Sequence, residues 1–307
     1  MAPSLYRYVL AALLGMTAAR AAEDPRWPVA PGAKLVCAAS QFTFTEGPAC
    51  DRDGSVLFTD QPNDRIVRWR PDGGFEDWLK PAGRSNGTYF DRDGNLVTCA
   101  DEHNALWSIS PAKQVTVLIR NYKGALLNGP NDVWISPKSG AMYLTDPMYP
   151  RDYWARSPRP QIPGEYVFCY HRASGELRPV ETTLNKPNGI AGTRDGSQLY
   201  VADIGADRTY LYRIEPDGSL ADKRLFCALG SDGMTLDDAG NVYLTGHGVT
   251  IFAPNGDRLG HIDVPEHWTG NITFAGPDRK TLFITASKSV YLLRMRIPGA
   301  CKRVGYR

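Results

Sequence analysis

Six polar side chains recur along this chain at nearly the same offset before a tight turn. In four copies the residue stands eight positions before the turn glycine, in one copy nine, and in the last copy Arg279 replaces that glycine. The six residues are Glu46, Asn86, Asn131, Asn188, Asp232 and Asn271. Each provides an oxygen atom, and none is Cys or His. Two carboxylates among several amides form a set of hard oxygen donors that suits calcium and, less well, magnesium or manganese.

Each turn belongs to a recurring phrase that consists of an apolar segment, the polar turn and a second apolar strand. The copies occupy residues 50–60, 90–101, 135–146, 192–203, 236–246 and 275–286. Between them run further apolar strands that end in Pro-Asp-Gly or similar turns. Repeats of roughly 40 to 55 residues indicate a propeller or a solenoid, and no stretch has a sustained helical period.

The repeats predict an all-β fold, a six-bladed β-propeller with a central channel, because each repeat has room for about four strands. Two stacked β-sandwiches are the alternative, but they do not explain a polar residue at one phase of every repeat. In a propeller the first strand of each blade lines the channel, so we expect the six side chains to converge at one mouth. Isolated Asn-Gly and Asp-Gly pairs are ordinarily turns, but Glu46, Asn131 and Asn271 stand outside such pairs.

Two segments outside the repeats are expected to matter. Residues 34–44 precede the first phrase and indicate an extra strand, which can close the ring on the last blade and remove an exposed sheet edge. We therefore assign the propeller to residues 34–307, after an N-terminal extension at 22–33. The longest interval between phrases holds a Pro-rich aromatic insertion at 147–160, a long loop of the kind that shapes binding sites.

The N-terminus is typical of a secretory signal peptide at residues 1–21. Arg7 precedes an apolar run that ends at the small-x-small site Ala19-Arg-Ala21 and is too short to span a membrane. An uncleaved anchor is the alternative. Cleavage would take the net charge from +2 to 0, since only Arg7 and Arg20 are lost. A neutral, exported chain, periplasmic or secreted, argues against nucleic acid or an anionic membrane as the partner.

The chain has six cysteines, and export permits disulfides. Six cysteines allow 15 complete pairings, so the sequence leaves the pairing open, as it does the oligomeric state. Their spacing does not resemble a zinc site. Cysteines placed within strands, such as Cys99 and Cys227, are expected to be small buried apolar residues.

Two further sequence features compete with the polar ring as sites of chemistry. Residues 83–87 match Gly-x-Ser-x-Gly, but this hydrolase motif requires a strand, a turn and a helix, and here a strand continues after it. His103, and His247 at a similar position after the fifth phrase, are either surface residues or substrate contacts that take part in proton transfer. Glycosylation at the triplets of Asn86 and Asn271 is incompatible with a place in the channel.

The chain resembles the family of senescence marker protein, gluconolactonase and luciferin-regenerating enzyme, which are six-bladed propellers. The resemblance covers nearly all of the chain after residue 21. It is carried by Phe44-Thr-Glu-Gly-Pro48, Ser85-Asn-Gly87, Cys99-Ala-Asp-Glu-His103, Gly129-Pro-Asn-Asp-Val133, Tyr143-Leu-Thr-Asp-Pro147, Lys186-Pro-Asn-Gly189, Ser231-Asp-Gly-Met234 and Asn271-Ile-Thr-Phe-Ala-Gly-Pro-Asp278.

This resemblance implies hydrolysis of a lactone and one divalent cation, usually calcium, with magnesium, manganese or zinc as the other ions that such a site accepts. The family's ligands fall on Glu46, Asn188 and Asp232, with Asn131 as a ligand or close neighbour, and Asp232 is also the implied general base. Gly129 stands where some animal members have an arginine, so sugar specificity does not transfer. Ala100 and Asp101 precede Glu102 and His103 where relatives often have a shorter Cys-Glu-His.

The residues and the resemblance together predict a hydrolase that opens a small, sugar-type lactone to the hydroxy acid. A divalent cation polarises the carbonyl and activates water, Asp232 accepts a proton, and asparagine amides donate to the oxyanion. The expected substrate contacts are Asn86, Glu102, His103 and Asn271. A phosphotriesterase on the same cation site, a propeller that binds sugars without catalysis, and an enzyme of the strictosidine-synthase type are the alternatives.

Overall fold

The computed structural model describes residues 25–154 and 160–300, which form 24 strands in six antiparallel sheets of four. Blade 1 contains β2 (Thr45–Cys50), β3 (Val56–Asp60), β4 (Arg65–Trp69) and β5 (Phe75–Leu79). Blade 2 contains β6 (Ser85–Phe90), β7 (Leu96–Ala100), β8 (Ala105–Ile109) and β9 (Val115–Ile119). Blade 3 contains β10 (Val133–Ile135), β11 (Met142–Asp146), β12 (Tyr166–His171) and β13 (Glu176–Glu181).

The other three blades repeat this order. Blade 4 contains β14 (Pro187–Gly192), β15 (Gln198–Asp203), β16 (Arg208–Ile214) and β17 (Leu220–Cys227). Blade 5 contains β18 (Met234–Leu236), β19 (Val242–Gly246), β20 (Gly248–Phe252) and β21 (Arg258–Ile262). Blade 6 contains β22 (Thr269–Ala275), β23 (Thr281–Ala286), β24 (Ser289–Arg294) and, as its outer strand, β1 (Val36–Ala39). The predicted six-bladed propeller is confirmed.

The first strand of the chain closes the ring, as predicted. β1 pairs antiparallel with β24, with Val36 opposite Leu292. The described part of the N-terminal extension also packs on this region, since Val29 forms a β-bridge with Met295. The predicted signal peptide lies outside the described residues. No helix among those residues is long and apolar enough to cross a bilayer.

The hydrophobic core lies between neighbouring blades. Phe58 of blade 1 meets Phe283 of blade 6 at a ring-centroid distance of 5.5 Å, and Tyr243 of blade 5 meets Phe274 of blade 6 at 5.3 Å. Cys99 and Cys227 are buried, as expected. Cys37, Cys99, Cys169 and Cys227 are free thiols, and Cys301 lies outside the described residues.

The threonine of the recurring phrase ties each of several blades to the next. The Thr59 hydroxyl of blade 1 donates to the Asn86 carbonyl of blade 2 at 3.1 Å. The Thr145 hydroxyl of blade 3 donates to the Asn188 carbonyl of blade 4 at 2.8 Å. Each threonine thus fixes the backbone of the polar residue in the next blade. The recurring phrase of one blade therefore helps to position the predicted site residue of the following blade.

The aspartates that end three of the phrases cap the segment before the innermost strand. Each accepts two backbone N–H groups: Asp60 from Thr43 and Phe44, Asp146 from Asn128 and Gly129, and Asp203 from Asn185 and Lys186. These bonds satisfy buried donors and fix the direction in which the chain enters the channel.

Candidate active site at the channel mouth

The six predicted ring residues lie at or just before the start of the innermost strands, at one end of the channel. Five are buried: Glu46, Asn86, Asn131, Asn188 and Asn271. Asp232 is partly exposed. The innermost strands of four blades carry a register irregularity where the ring residue stands, for example between Glu46 and Ala49. A bulge redirects a side chain out of the regular alternation, and here it brings the polar residue to the mouth.

Glycine beside the ring residue allows neighbouring blades to approach closely. A Cβ on Gly47 would lie 2.1 Å from the Asn86 carbonyl oxygen, and one on Gly233 would lie 2.1 Å from the Asn271 side chain. Gly47 also has a φ of +44°, where glycine is favoured. The Asn-Gly and Asp-Gly pairs are therefore contacts between blades rather than surface turns.

Asp232 is held by hydrogen bonds to both of its carboxylate oxygens. Asn188 Nδ2 donates to Oδ1 at 2.8 Å, and the Trp268 indole Nε1 donates to Oδ2 at 2.5 Å. Asn188 Nδ2 also donates to the Tyr149 hydroxyl at 2.9 Å. This network fixes the orientation of the carboxylate that the sequence assigns as ligand and base.

A second cluster joins the first and last blades. Asn271 Nδ2 donates to Glu46 Oε2 at 3.1 Å and, more weakly, to Asp132 Oδ2 at 3.3 Å. The backbone N–H of Gly47 donates to the same Glu46 oxygen at 2.7 Å. Asn271 therefore orients two carboxylates, and its predicted contact with a substrate stays a prediction.

The three carboxyl groups of the ring have raised pKa values. Burial raises the pKa of Glu46 well above its ordinary value, and the charges of Asp232 and Asp132 raise it further. Burial raises the pKa of Asp132 to about 7 and that of Asp232 to about 6, against the hydrogen bonds that lower both. Each group thus resists ionisation unless positive charge lies nearby.

The arrangement of the donors fits a cation. The side-chain oxygens of Asn86 and Asn188 are buried without a hydrogen-bond donor, and the Asn188 amide adjoins Asp232. The Asn131 side chain makes no hydrogen bond to another described residue. Within the described ranges no three His, Cys, Asp or Glu side chains are grouped as metal ligands, so a cation here would use amide oxygens together with the carboxylates.

Asp132 is the ring residue that the sequence analysis missed. It follows Asn131 at the position where four other blades have a glycine, and its carboxylate faces Asn271 across the channel. The third blade lacks that glycine, and this difference in the sequence could have revealed Asp132 as a further site residue. Below Asp132 the channel opens into a cavity of about 120 Å³, lined by residues such as Trp134, Ile190 and Met234.

The predicted loop after β11 covers the mouth, as far as it is described. The Tyr153 hydroxyl donates to Gln61 Oε1 of blade 1 at 2.6 Å, and Arg151 Nε donates to Asp101 Oδ2 of blade 2 at 3.1 Å. Together with the bond between Tyr149 and Asn188 of blade 4, these contacts connect the loop to three blades. Asp101, which ends the second phrase, anchors this loop.

Glu102 and His103 lie on the rim, in a 3-10 turn at Asp101–His103. Glu102 pairs with Arg84 at 3.4 Å, and the exposed His103 ring packs against Trp107 at a centroid distance of 4.9 Å. Neither side chain contacts a ring residue among those described. His247 packs on Trp268. Ser85 lies in β6 and donates to the Ala82 carbonyl, so the absence of a nucleophile elbow is confirmed.

The fold and the site define a class: a six-bladed propeller with one polar residue from each blade at the channel mouth, five of them buried. Residues 44–288 match the family described as SMP-30/Gluconolactonase/LRE-like region, and the chain belongs to that family. It is 32% identical to the gluconolactonase of Zymomonas mobilis, over 85% of this chain and 81% of the relative.

Solved structures share the architecture. A gluconolactonase from Xanthomonas campestris superposes with a TM-score of 0.80 at 28% identity, covering 87% of this chain and 91% of its own. Regucalcin from Agrobacterium tumefaciens, a calcium-binding protein, has a TM-score of 0.72 at 16% identity, covering 87% and 95%. At that identity regucalcin supports the fold alone.

Proposed function

We propose that this protein is a divalent-cation-dependent lactonase that opens a small sugar-type lactone to its hydroxy acid. The observation that carries the proposal is the buried, unpaired Asn188 oxygen beside the doubly hydrogen-bonded Asp232 carboxylate. The gluconolactonase relatives support the reaction class. We also propose export after removal of residues 1–21.

The cation would be held by Glu46, Asn131, Asn188 and Asp232, with calcium favoured by the hard oxygen donors. When bound, it supplies a positive charge that favours ionisation of the carboxyls and polarises the substrate carbonyl. Asp132, which contacts Asn271, adds negative charge to the floor of the site. This excess of carboxylates is the feature that a divalent cation balances.

The protein's own residues would orient the lactone and move a proton. Asp232 can accept the proton of the attacking water, because its carboxylate lies at the mouth and hydrogen bonds orient both of its oxygens. Trp268 and Asn188 keep its oxygens directed toward the mouth. Ligation of a cation and acceptance of a proton compete on one carboxylate, and ligation is the role the geometry supports more strongly.

Substrate contacts would come from the mouth. Asn86 offers a buried side-chain oxygen on blade 2, and the loop residues Tyr149 and Arg151 form the outer wall. Glu102 and His103 on the rim are placed to contact the end of a substrate that extends from the channel.

The test is a panel of five- and six-carbon sugar lactones assayed by pH-stat, with and without EDTA, beside elemental analysis of the purified protein. We expect hydrolysis that EDTA abolishes and added calcium restores. A phosphotriester assayed in parallel distinguishes a lactonase from the alternative, a phosphotriesterase that uses the same cation site. If no lactone is hydrolysed at saturating calcium while the phosphotriester is, the proposed substrate class is wrong.

A substitution at Trp268 tests the support of the cation site. Trp268→Phe keeps an aromatic ring but removes the N–H that Asp232 Oδ2 accepts. Loss of such an outer hydrogen bond typically weakens metal affinity about 10–100-fold, and calorimetric titration with calcium measures it. Trp107→Phe, at the indole that packs on His103 instead, is the matched control. Equal calcium affinity in wild type and Trp268→Phe would exclude this role.

A further inference from the structure

Among the described residues, three cationic side chains lie at the channel mouth, each over an aromatic ring of the loop after β11. Arg84 lies over Tyr153 at 5.8 Å, and Arg151 lies over Tyr149 at 5.2 Å from the ring centroid. Lys186 Nζ lies 4.8 Å from the centroid of Tyr149. The aromatic ring of Tyr149 therefore contacts two cationic side chains, Arg151 and Lys186, next to the polar residues of the channel mouth.

Two of the three cations already have a carboxylate partner. Arg84 pairs with Glu102 at 3.4 Å, and Arg151 pairs with Asp101 at 3.1 Å. The Arg151 side chain is only 13% exposed and the Asp101 side chain 1%, so this second pair is a fixed part of the loop anchor. Their charges are largely compensated within the protein.

Lys186 differs from both arginines. Among the described residues its ammonium group has no carboxylate within ion-pair distance, and the aromatic face of Tyr149 is its partner. The residue is half-buried, and Asp203 holds its backbone N–H at 2.9 Å. An ammonium that is partly desolvated without an anion retains its capacity to bind one.

The position of Lys186 connects this free cation to the reacting site. It stands two residues before Asn188, and the hydroxyl of the same Tyr149 accepts a hydrogen bond from Asn188. Only the Tyr149 side chain thus separates the Lys186 ammonium group from the polar residues at the channel mouth. A ligand whose carbonyl lies at Asp232 and Asn188 would direct its far end along Tyr149 toward Lys186.

We propose that Lys186, on the ring of Tyr149, forms a subsite for an anionic substituent of the lactone, remote from the reacting carbonyl. The substituent is a carboxylate, sulfonate or phosphate, and it is unchanged by the hydrolysis. Three carboxyl groups in the ring would otherwise repel an anionic substrate, and the cations on Tyr149 offset that repulsion. This inference rests on the proposed lactonase function.

The test compares kcat/KM for glucono-1,5-lactone and 6-phosphoglucono-1,5-lactone in wild type, Lys186→Met and Lys186→Arg. We expect wild type to favour the phosphorylated lactone. Lys186→Met should reduce that preference by about tenfold or more, the scale of a lost charged hydrogen bond, and Lys186→Arg should retain most of it. Lys123→Met is the matched control, since Lys123 lies 5.1 Å over Tyr122 outside this subsite, and it should leave the preference unchanged.

A binding measurement separates failure of this inference from failure of the proposed function. Calorimetry with 6-phosphogluconate and gluconate needs no turnover, and wild type should bind the phosphorylated acid more tightly, with the difference lost in Lys186→Met. If wild type hydrolyses gluconolactone but shows no preference in either assay, the subsite is refuted while the lactonase stands. If neither lactone is hydrolysed, the proposed lactonase function is refuted. The difference in affinity between 6-phosphogluconate and gluconate then shows by itself whether Lys186 forms an anion subsite.

Discussion

Replacement of Asp232 by asparagine should lower kcat by roughly the 10²–10⁴-fold typical of a lost general base, while the propeller stays folded. The variant keeps an oxygen that can accept from Trp268 Nε1. Its new amide faces the Asn188 amide, so the bond from Asn188 Nδ2 is lost, while the Asn188 oxygen stays available to the cation. The variant therefore removes the carboxylate and one of its two hydrogen bonds at the mouth. Steady-state kinetics at saturating calcium measures the effect, and thermal unfolding confirms the fold.

Glu46→Gln is the matched control, because it also exchanges a ring carboxylate for an amide. It should act mainly through metal affinity, so that excess calcium restores much of the activity. Asp232→Asn should not be rescued in this way. Full lactonase activity of Asp232→Asn at saturating calcium would show that Asp232 is not the base.

Without its cation, the protein should become less stable as pH rises. The pKa of Asp232 is raised to about 6 and that of Asp132 to about 7, whereas an unfolded aspartate titrates near pH 3.9. The native state therefore binds more protons than the unfolded state across this interval, so the free energy of unfolding falls with increasing pH. Asp232 contributes a loss of about 3 kcal/mol and Asp132 a loss of about 4 kcal/mol, and the loss is complete only above about pH 8, past the pKa of Asp132.

Calorimetric Tm values in EDTA at pH 5 and pH 8 measure this loss, and calcium should largely remove it. Asp132→Asn is the informative variant, because it should flatten the pH dependence in EDTA. Glu181, whose pKa is lowered to about 2 by contacts that include Tyr212 and Lys223, contributes in the opposite direction, but only at lower pH. A Tm in EDTA that rises or stays constant from pH 5 to pH 8 would contradict the raised pKa values.

The fold was predictable because its signal is repeated six times. Each copy reports the same strand, turn and polar residue, so an error in one copy is corrected by the others. The constant spacing before the turn predicted that Glu46, Asn188 and Asp232 lie at equivalent positions of their blades. Their ligand roles stay predictions, since they depend on a cation.

The contacts that the sequence did not reveal come from outside the repeated phrase. Trp268 precedes β22, and Tyr149 belongs to a loop found in one blade only, so no periodicity marks either. Asp132 breaks the pattern of its blade and was overlooked for that reason. The side chains of His103 and Glu102 pack on Trp107 and pair with Arg84, and their predicted contact with a substrate stays a prediction.

The pairing of β1 with β24 closes the ring, and the geometry of the site depends on this closure. The bond from Asn271 to Glu46 joins residues 225 positions apart, and it exists only because the sixth blade returns to the first. If β1 detached, the free edge of β24 would expose unpaired backbone groups, and the blades could relax into an open spiral. A spiral separates Glu46 from Asn271 even when every blade is intact. The geometry of the channel mouth therefore depends on a four-residue strand at the outer rim of the disc.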